Sequence, residues 1–415
     1  MNHCIRRFAA FGALFAALVL AGCAGPGGVA RVPGDEQFRC DVGHQALFNR
    51  LDIHARLSKD EPTLNLLLLS GGGAHGAWGA GYLNGWQRPA EDATGVPMPT
   101  FDVVTGVSTG SLQASYAFIG DYESIYKFYT TTTSDMIWKK RALLSVPFSN
   151  SVLKSSPLAA QIERHVDHDL LKAVDAQKDG RLLCVGAVSL DTGHFREWDL
   201  TAIAAAYMKA GETSPQGKEL LNLYRTVLLA SAAIPVAFPP VEITDAEGTS
   251  LYVDGGTREN VFVAFGRLLD FALSRNLQQY GVNASESEDQ RVGDLVQFNA
   301  FVIVNGQLGI APASVDNHVI PIALRSLDAL TTESMNGALY HIDHELKQRG
   351  AGDIIKTRYT YIPSDECLEN SSLDFDPVAM KRQADLAADY GSRLEWFQFD
   401  PNTSLAACKA QRYVQ

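Results

Sequence analysis

The sequence predicts a three-layer α/β/α fold with a mostly parallel central sheet, and three observations predict it. Residues 64–69 are an almost unbroken run of Leu bounded by Pro62 and Gly71, the length and composition of a strand buried on both faces. The run ends in Gly71-Gly72-Gly73 and passes into residues 74–86, a helical stretch rich in small residues that can pack close to the sheet. The same order of strand, turn and helix returns at residues 101–105, 106–110 and 111–119. A parallel sheet is built by repeating that unit.

The remaining elements follow from the same patterns. Residues 44–60 read as a short leading helix, and residues 120–180 as mostly helical and more polar. Residues 182–190 form a strand, and residues 220–233 a helix stopped by Pro235. A short strand at 251–253 runs into Asp254-Gly255-Gly256. A helix over 264–278, a polar exposed loop over 280–293, a strand over 298–304 and long helices over 326–347 and 377–396 complete the chain. No linker interrupts the sequence after residue 62, so residues 44–415 are expected to form one domain. With 46% hydrophobic and 20% charged residues, the composition is that of a folded chain rather than a disordered one. There is no internal repeat at a solenoid period.

The N-terminus reads as a targeting segment. Arg6 and Arg7 precede an apolar run over residues 8–20 that is too short to span a bilayer well. Leu20-Ala21-Gly22-Cys23 follows and resembles the lipobox of bacterial lipoproteins. The resemblance implies removal of residues 1–22 as a signal peptide and lipidation of Cys23. Residues 23–43 then form a tether, opening on a stretch rich in Gly, Pro and Ala. Ala24 after the cysteine resembles the outer-membrane sorting pattern. The expected location is therefore the bacterial envelope, anchored in the outer membrane and facing the periplasm.

The net charge of −12 loses two positive charges with the signal. That disfavours a nucleic-acid partner and predicts no basic face for anionic lipid, so membrane attachment is expected from the lipid anchor alone. After Cys4 and Cys23 are set aside, Cys40, Cys184, Cys367 and Cys408 remain. Cys184 lies within the apolar run 182–188 and is expected to be a buried free thiol. Cys367 and Cys408 flank a C-terminal helical stretch, and an oxidising compartment makes a bridge between them the expectation.

The chemistry centres on Ser108 in Gly106-Val107-Ser108-Thr109-Gly110. A serine hydroxyl needs a base within reach and donors for the oxyanion formed on attack. The G-x-S-x-G pattern lets the chain turn sharply and present the hydroxyl at a strand end, and here it stands between an expected strand and an expected helix. Without that setting, Ser108 would read as an ordinary N-cap. The loop Ser70-Gly71-Gly72-Gly73-Ala74-His75-Gly76 places backbone N–H groups at a helix N-terminus, where they can bind an oxyanion or a phosphate. A dinucleotide site is the rival for such a loop. Its acidic residue about 20 positions on is missing, since Glu91 and Asp92 lie in a loop-like stretch.

Together these features resemble the patatin-like phospholipase family. The glycine loop is similar to that family's oxyanion loop, and residues 106–110 are similar to its nucleophile turn. Ala230-Ser231-Ala232-Ala233-Ile234-Pro235, with Phe238-Pro239-Pro240 after it, resembles the family segment before the second catalytic residue. Asp254-Gly255-Gly256 matches its Asp-Gly-Gly. The four occur in family order over residues 64–260, roughly half the chain. The resemblance implies a patatin-like fold and a lipid acyl hydrolase of phospholipase A or lysophospholipase type. It implies a Ser108–Asp254 dyad without a histidine between, an acyl-enzyme, and an oxyanion hole drawn from Gly71, Gly72, Gly73 and Gly76, with Gly106 and Gly110 shaping the nucleophile turn. No cofactor is expected, and the partner is a lipid or lysolipid substrate. One residue departs from the pattern: His75 stands where the family often carries Arg, which leaves oxyanion binding to backbone donors such as Gly72 and Gly73.

The same residues admit other readings. A Ser-His-Asp esterase needs a histidine after the acid, and His318, His341 and His344 satisfy that order. His341 and His344 share a helical spacing typical of surface polar groups, as do His165 and His168. No H-E-x-x-H string or calcium loop points to a metal. A lipid-binding envelope protein that keeps the fold without turnover is the rival from another class.

Overall fold

The computed structural model describes residues 30–31, 38–40, 51, 63–141, 149–245, 248–262, 297–310, 314–348, 355–366 and 371–399. The strands are β1 (Ala30–Arg31), β2 (Thr63–Leu69), β3 (Val103–Val107), β4 (Lys139–Lys140), β5 (Leu153–Lys154), β6 (Leu182–Ser189), β7 (Phe195–Asp199), β8 (Val241–Asp245), β9 (Gly248–Asp254), β10 (Gln297–Ile303) and β11 (Ile355–Thr360). The helices are α1 (Gly76–Trp86), α2 (Thr109–Ile119), α3 (Tyr122–Thr131), α4 (Ser134–Ile137), α5 (Ser156–His165), α6 (His168–Ala176), α7 (Leu200–Ala210), α8 (Pro215–Ser231), α9 (Val319–Gln348) and α10 (Pro377–Ser392).

One sheet runs β1-β8-β9-β6-β3-β2-β10-β11, with β7 also paired to β6. From β6 to β11 along this order every pairing is parallel, while β7, β8 and β9 add antiparallel ones. The leucine run behaves as a two-faced strand should. Leu64, Leu66 and Leu68 enter the core on one face, and Leu67 and Leu69 the core on the other. Helices α1, α2, α3 and α10 cover the second face, and α9 covers the first through Met335, Leu339 and Ile342. The layers are therefore helix, sheet, helix, as the sequence predicts.

Register brings two distant parts of the chain together. β3 pairs with β6 from Val103↔Leu182 to Val107↔Gly186. β9 takes over at the next position, with Asp254 opposite Ala187. β7 pairs with the same β6 residues as each of them, so it occupies the other edge and β3 and β9 share one edge end to end. The residue after Val107 is Ser108. Strand ends alone thus set Ser108 beside Asp254.

Several elements differ from expectation. Strands β7, β8 and β11 and helix α7 were not expected, and α9 starts seven residues before its predicted position. β7 and β8 mix charged and apolar residues on a sheet that is antiparallel there, so they lack the continuous apolar run of a central strand. The small residues of α1 serve a helix as much as the sheet. A Cβ on Gly81 would lie 2.0 Å from the Ala384 carbonyl oxygen of α10, and one on Gly85 would lie 2.0 Å from that of Ala388. The expected helices over 44–60 and 264–278 and the loop over 280–293 lie outside the described residues, apart from Leu51.

The cysteine expectation is corrected. Cys184 is not a free thiol but is bonded to Cys40 across 144 residues of sequence. Cys184 lies on the same face of β6 as Leu182, and residues 38–40 run beside β7, where Arg39 bridges Trp198, the Cys40 N–H donates to the Glu197 carbonyl at 3.1 Å and Cys40 enters the same core as Cys184. Burial in an apolar strand says that a cysteine is inside, not that it is unpaired. Cys367 and Cys408, expected to pair, lie outside the described residues, as does Cys23.

A non-reducing peptide map should therefore recover a peptide pair joining Cys40 to Cys184. Cys40→Ser should lower stability by roughly 2–4 kcal/mol in urea denaturation, as expected for removal of a native bridge. Recovery of alkylated, free Cys184 from unreduced protein would contradict the assignment.

Candidate active site

Ser108 occupies the turn between β3 and α2 with φ 54 and ψ −122. A non-glycine residue there costs on the order of 1–3 kcal/mol and persists only when its surroundings fix it. The Ser108 N–H donates to Ser231 Oγ at 3.0 Å, and the Ser231 hydroxyl donates to the Gly186 carbonyl at 2.6 Å. The Ser111 hydroxyl donates to the Ser108 carbonyl at 2.6 Å. The flanking glycines meet a steric requirement. A Cβ on Gly106 would stand 2.4 Å from the Gly110 carbonyl oxygen, and a Cβ on Gly110 would stand 2.3 Å from that of Leu69. Although Ser108 is the N-cap of α2, its side chain makes no capping bond. Its hydroxyl interacts with Asp254 instead.

Asp254 closes β9, and its N–H donates to the Ala233 carbonyl at 2.9 Å. Its carboxylate accepts from the Gly256 N–H at 2.8 Å, the bond expected of an Asp-Gly turn, while also meeting the Ser108 hydroxyl. Ser108 and Asp254 are both only 5% exposed. Burial pushes the Asp254 carboxyl up from 3.8 to about 6, partly offset by the Ser108 hydroxyl and the Gly256 N–H. Such a carboxylate is still ionised at pH 7 but is a stronger base than an ordinary one.

The glycine loop runs past the same point, with the Cβ position of Gly71 only 3.1 Å from Ser108 Cβ. Two of its four glycine N–H groups are engaged within the protein. That of Gly71 donates to Asn260 Oδ1 at 2.7 Å, and that of Gly76 turns back to the carbonyls of Gly73 and Ala74. The N–H groups of Gly72 and Gly73 have no acceptor among the described residues. Of the four glycines expected as oxyanion donors, these two are the ones whose N–H groups are left without an internal acceptor among the described residues. A trans peptide directs its C=O and N–H in opposite senses. The Gly71 carbonyl accepts from the Ser70 hydroxyl at 2.7 Å and that of Gly72 from the His75 N–H at 3.1 Å, so the following N–H groups, of Gly72 and Gly73, face away from those partners. His75 therefore contributes to the loop through its backbone.

Residues without a role in the sequence reading hold this loop. Thr109 Oγ1 donates to the Gly73 carbonyl at 2.9 Å, tying it to the nucleophile turn. Asn305, two residues past the end of β10, is 1% exposed. Its Nδ2 donates to the Ser70 carbonyl at 2.8 Å, and its Oδ1 accepts from the Gly79 N–H at 3.1 Å. Asn260 joins the loop to α9 through Nδ2 and the Thr331 carbonyl at 3.3 Å. A buried Asn beside an apolar run was the available signal for both, but its partners depend on tertiary contacts.

No histidine bonds to Ser108 or Asp254 among the described residues. His341 is exposed, His344 stacks on Tyr340 at 5.2 Å, His318 is exposed, and His168 meets Tyr207 at 3.0 Å. Glu91 and Asp92 lie in an exposed turn, away from the role a dinucleotide site would require. Among the described residues no group of His, Cys, Asp and Glu could hold a metal ion.

This combination of fold, strained serine turn, glycine loop and buried aspartate coincides with a family match. Residues 67–265, just under half of the chain, match the model of the patatin-like phospholipase family, and this stretch is a patatin-like domain. It is accordingly a lipid acyl hydrolase in the general sense. No curated protein matches the chain.

Three outcomes follow from the geometry. Gly73→Ala, whose Cβ would lie 2.0 Å from the Ser372 carbonyl oxygen at φ 58, should lower kcat by about 100-fold or more, the effect of losing an oxyanion donor. The kcat/KM profile should fall on the acid side with an apparent pKa near 6, as Asp254 takes up its proton. Stability should move the opposite way. Between pH 3.8 and about 6 the folded chain holds a proton at Asp254 that the unfolded chain has released, so stability declines as pH rises through that window. Asp254→Asn should therefore melt higher than the parent at pH 7, by at most about 3 kcal/mol, with the advantage gone at pH 3.5. Thermal melts at the two pH values test this, and an Asn variant less stable than its parent at pH 7 would contradict it.

Proposed function

We propose that the protein hydrolyses a carboxylic ester of a phospholipid or lysophospholipid through a Ser108–Asp254 dyad. The observation that carries this reading is the register that sets Ser108 beside the buried Asp254 on one edge of β6, with no histidine bonded to either among the described residues. Ser108 Oγ attacks the ester carbonyl carbon while its proton passes to Asp254. The oxyanion is received by the N–H groups of Gly72 and Gly73 at the N-terminal end of α1. Collapse breaks the acyl–oxygen bond, and Asp254 returns the proton to the departing alcohol. Water then attacks the acyl-enzyme and gives one proton to Asp254, which passes it to Ser108 Oγ as the acyl–Oγ bond breaks and a carboxylic acid departs.

The same proposal sets the enzyme in the bacterial envelope, held by a lipidated Cys23 after loss of residues 1–22. Its support is the charge, apolar length and cysteine placement of the leader. Cys23→Ala should abolish incorporation of labelled fatty acid, and unchanged labelling would contradict it.

A panel of phospholipids, lysophospholipids and neutral esters, with products identified by mass, tests the reaction. The wild type should release fatty acid from at least one glycerolipid, and Ser108→Ala should lose on the order of 10⁴-fold or more in kcat. Equal turnover by wild type and Ser108→Ala would contradict the mechanism.

A further inference from the structure

The net charge of −12 predicts no basic face, yet the hairpin of β4 and β5 forms one. Lys139 lies directly opposite Lys154, and Lys140 stands next to it, opposite Leu153. All three lysines are exposed, and none has a carboxylate partner among the described residues. Arg141 adds a fourth positive charge and closes the hairpin through its bonds to Ser151 Oγ at 3.1 and 3.3 Å. Like charges directly opposite in a strand pair are destabilising. In a chain with 47 acidic residues against 35 basic ones, an unneutralised cluster of this kind is complementary to an anionic partner.

The hairpin is tied to both halves of the Ser108 site. On one side, Trp138 Nε1 donates to the Leu373 carbonyl at 2.9 Å, and the neighbouring Ser372 carbonyl accepts from Ala74 of the glycine loop at 2.8 Å. On the other side, the N–H groups of Val152 and Leu153 donate to the carbonyls of Val236 and Ala237, each at 2.9 Å. That segment begins at Ala233, whose carbonyl accepts the Asp254 N–H. Val236 itself stands at φ 67, an outlier for a β-branched residue, and is 38% exposed. The backbone thus holds an apolar side chain out beside the lysines, which supplies the second component of an interfacial contact.

We propose that the β4–β5 hairpin, with Val236, is a docking surface for an anionic phospholipid bilayer beside the Ser108 site. The proposal rests on the reading that the substrate is a lipid ester presented in a membrane. Basic side chains gain affinity from an anionic lipid surface, the gain fades with salt, and the tethers above would bring the bilayer to the glycine loop and the Asp254 strand together.

Vesicle binding tests this with the full chain produced without acylation, in a Ser108→Ala background so that no lipid is consumed. The chain should sediment with vesicles containing phosphatidylglycerol and bind those of phosphatidylcholine alone far more weakly. Replacing Lys139, Lys140 and Lys154 together with Gln should weaken binding to the anionic vesicles by about 100-fold at low salt. Replacement with Glu should remove the preference altogether. With Ser108 restored, both triple variants should hydrolyse a soluble short-chain ester at the wild-type rate, since none of the three lysines touches the dyad. Equal binding of wild type and triple variants to anionic vesicles would overturn the proposal, as would a wild type with no preference for them. Because binding is read without turnover, failure of the serine mechanism would appear separately, in the ester assay of Ser108→Ala.

Discussion

The site depends on one edge of one strand. β6 offers its edge to β3 as far as Gly186 and to β9 from Ala187 onward, so a parallel and an antiparallel partner meet end to end. Ser108 leaves the sheet where β3 stops, and Asp254 is the last residue of β9, at the end that meets β3. Gly186 serves the junction in two ways. Its carbonyl takes the Ser231 hydroxyl that in turn receives the Ser108 N–H. It also lies where a Cβ on Gly255 would come within 2.6 Å of that carbonyl oxygen, so the Asp254 turn can close only on glycine. The proximity of Ser108 and Asp254 is therefore a property of the sheet rather than of flexible loops, which is where precise catalytic geometry is best secured.

This arrangement opposes stability to function. Ser108 is held in a backbone conformation that serine disfavours, and Asp254 is buried where its ionised form is disfavoured. Both features suit the proposed dyad, because burial raises the basicity of the carboxylate and the strained turn sets Ser108 beside it. Ser231, Ser111, Thr109, Asn260 and Asn305 hold the turn and the glycine loop in place, while two N–H groups of that loop have no acceptor among the described residues. The two glycines that carry them are half-buried, and a pair of backbone donors without an internal acceptor beside Ser108 is suited to receiving an anion.

Much of this was legible in the sequence where a local rule sufficed. The Leu run from residue 64, the glycine turn after it and the strand leading to Gly106 each carry their own periodicity or steric demand, and the structure places them within a residue or two of expectation. Asp254 was legible through its Asp-Gly-Gly string and its order in the chain. What escaped was set by contacts between segments far apart. Asn305 reaches the glycine loop across 235 residues, and Cys40 reaches Cys184 across 144. The strands β7 and β8 mix charged and apolar residues and follow no central-strand pattern. Net charge, a sum over the chain, likewise conceals the lysines that one short hairpin gathers.

The central claim is that Ser108 and Asp254 act as a single unit, and a double-mutant cycle on kcat/KM for the best lipid substrate tests it most directly. Ser108→Ala, Asp254→Asn and the double variant should all fall to nearly the same residual rate, because either change disables the unit. Losses that multiply in the double variant, or an Asp254→Asn enzyme that retains most of its activity, would contradict the account.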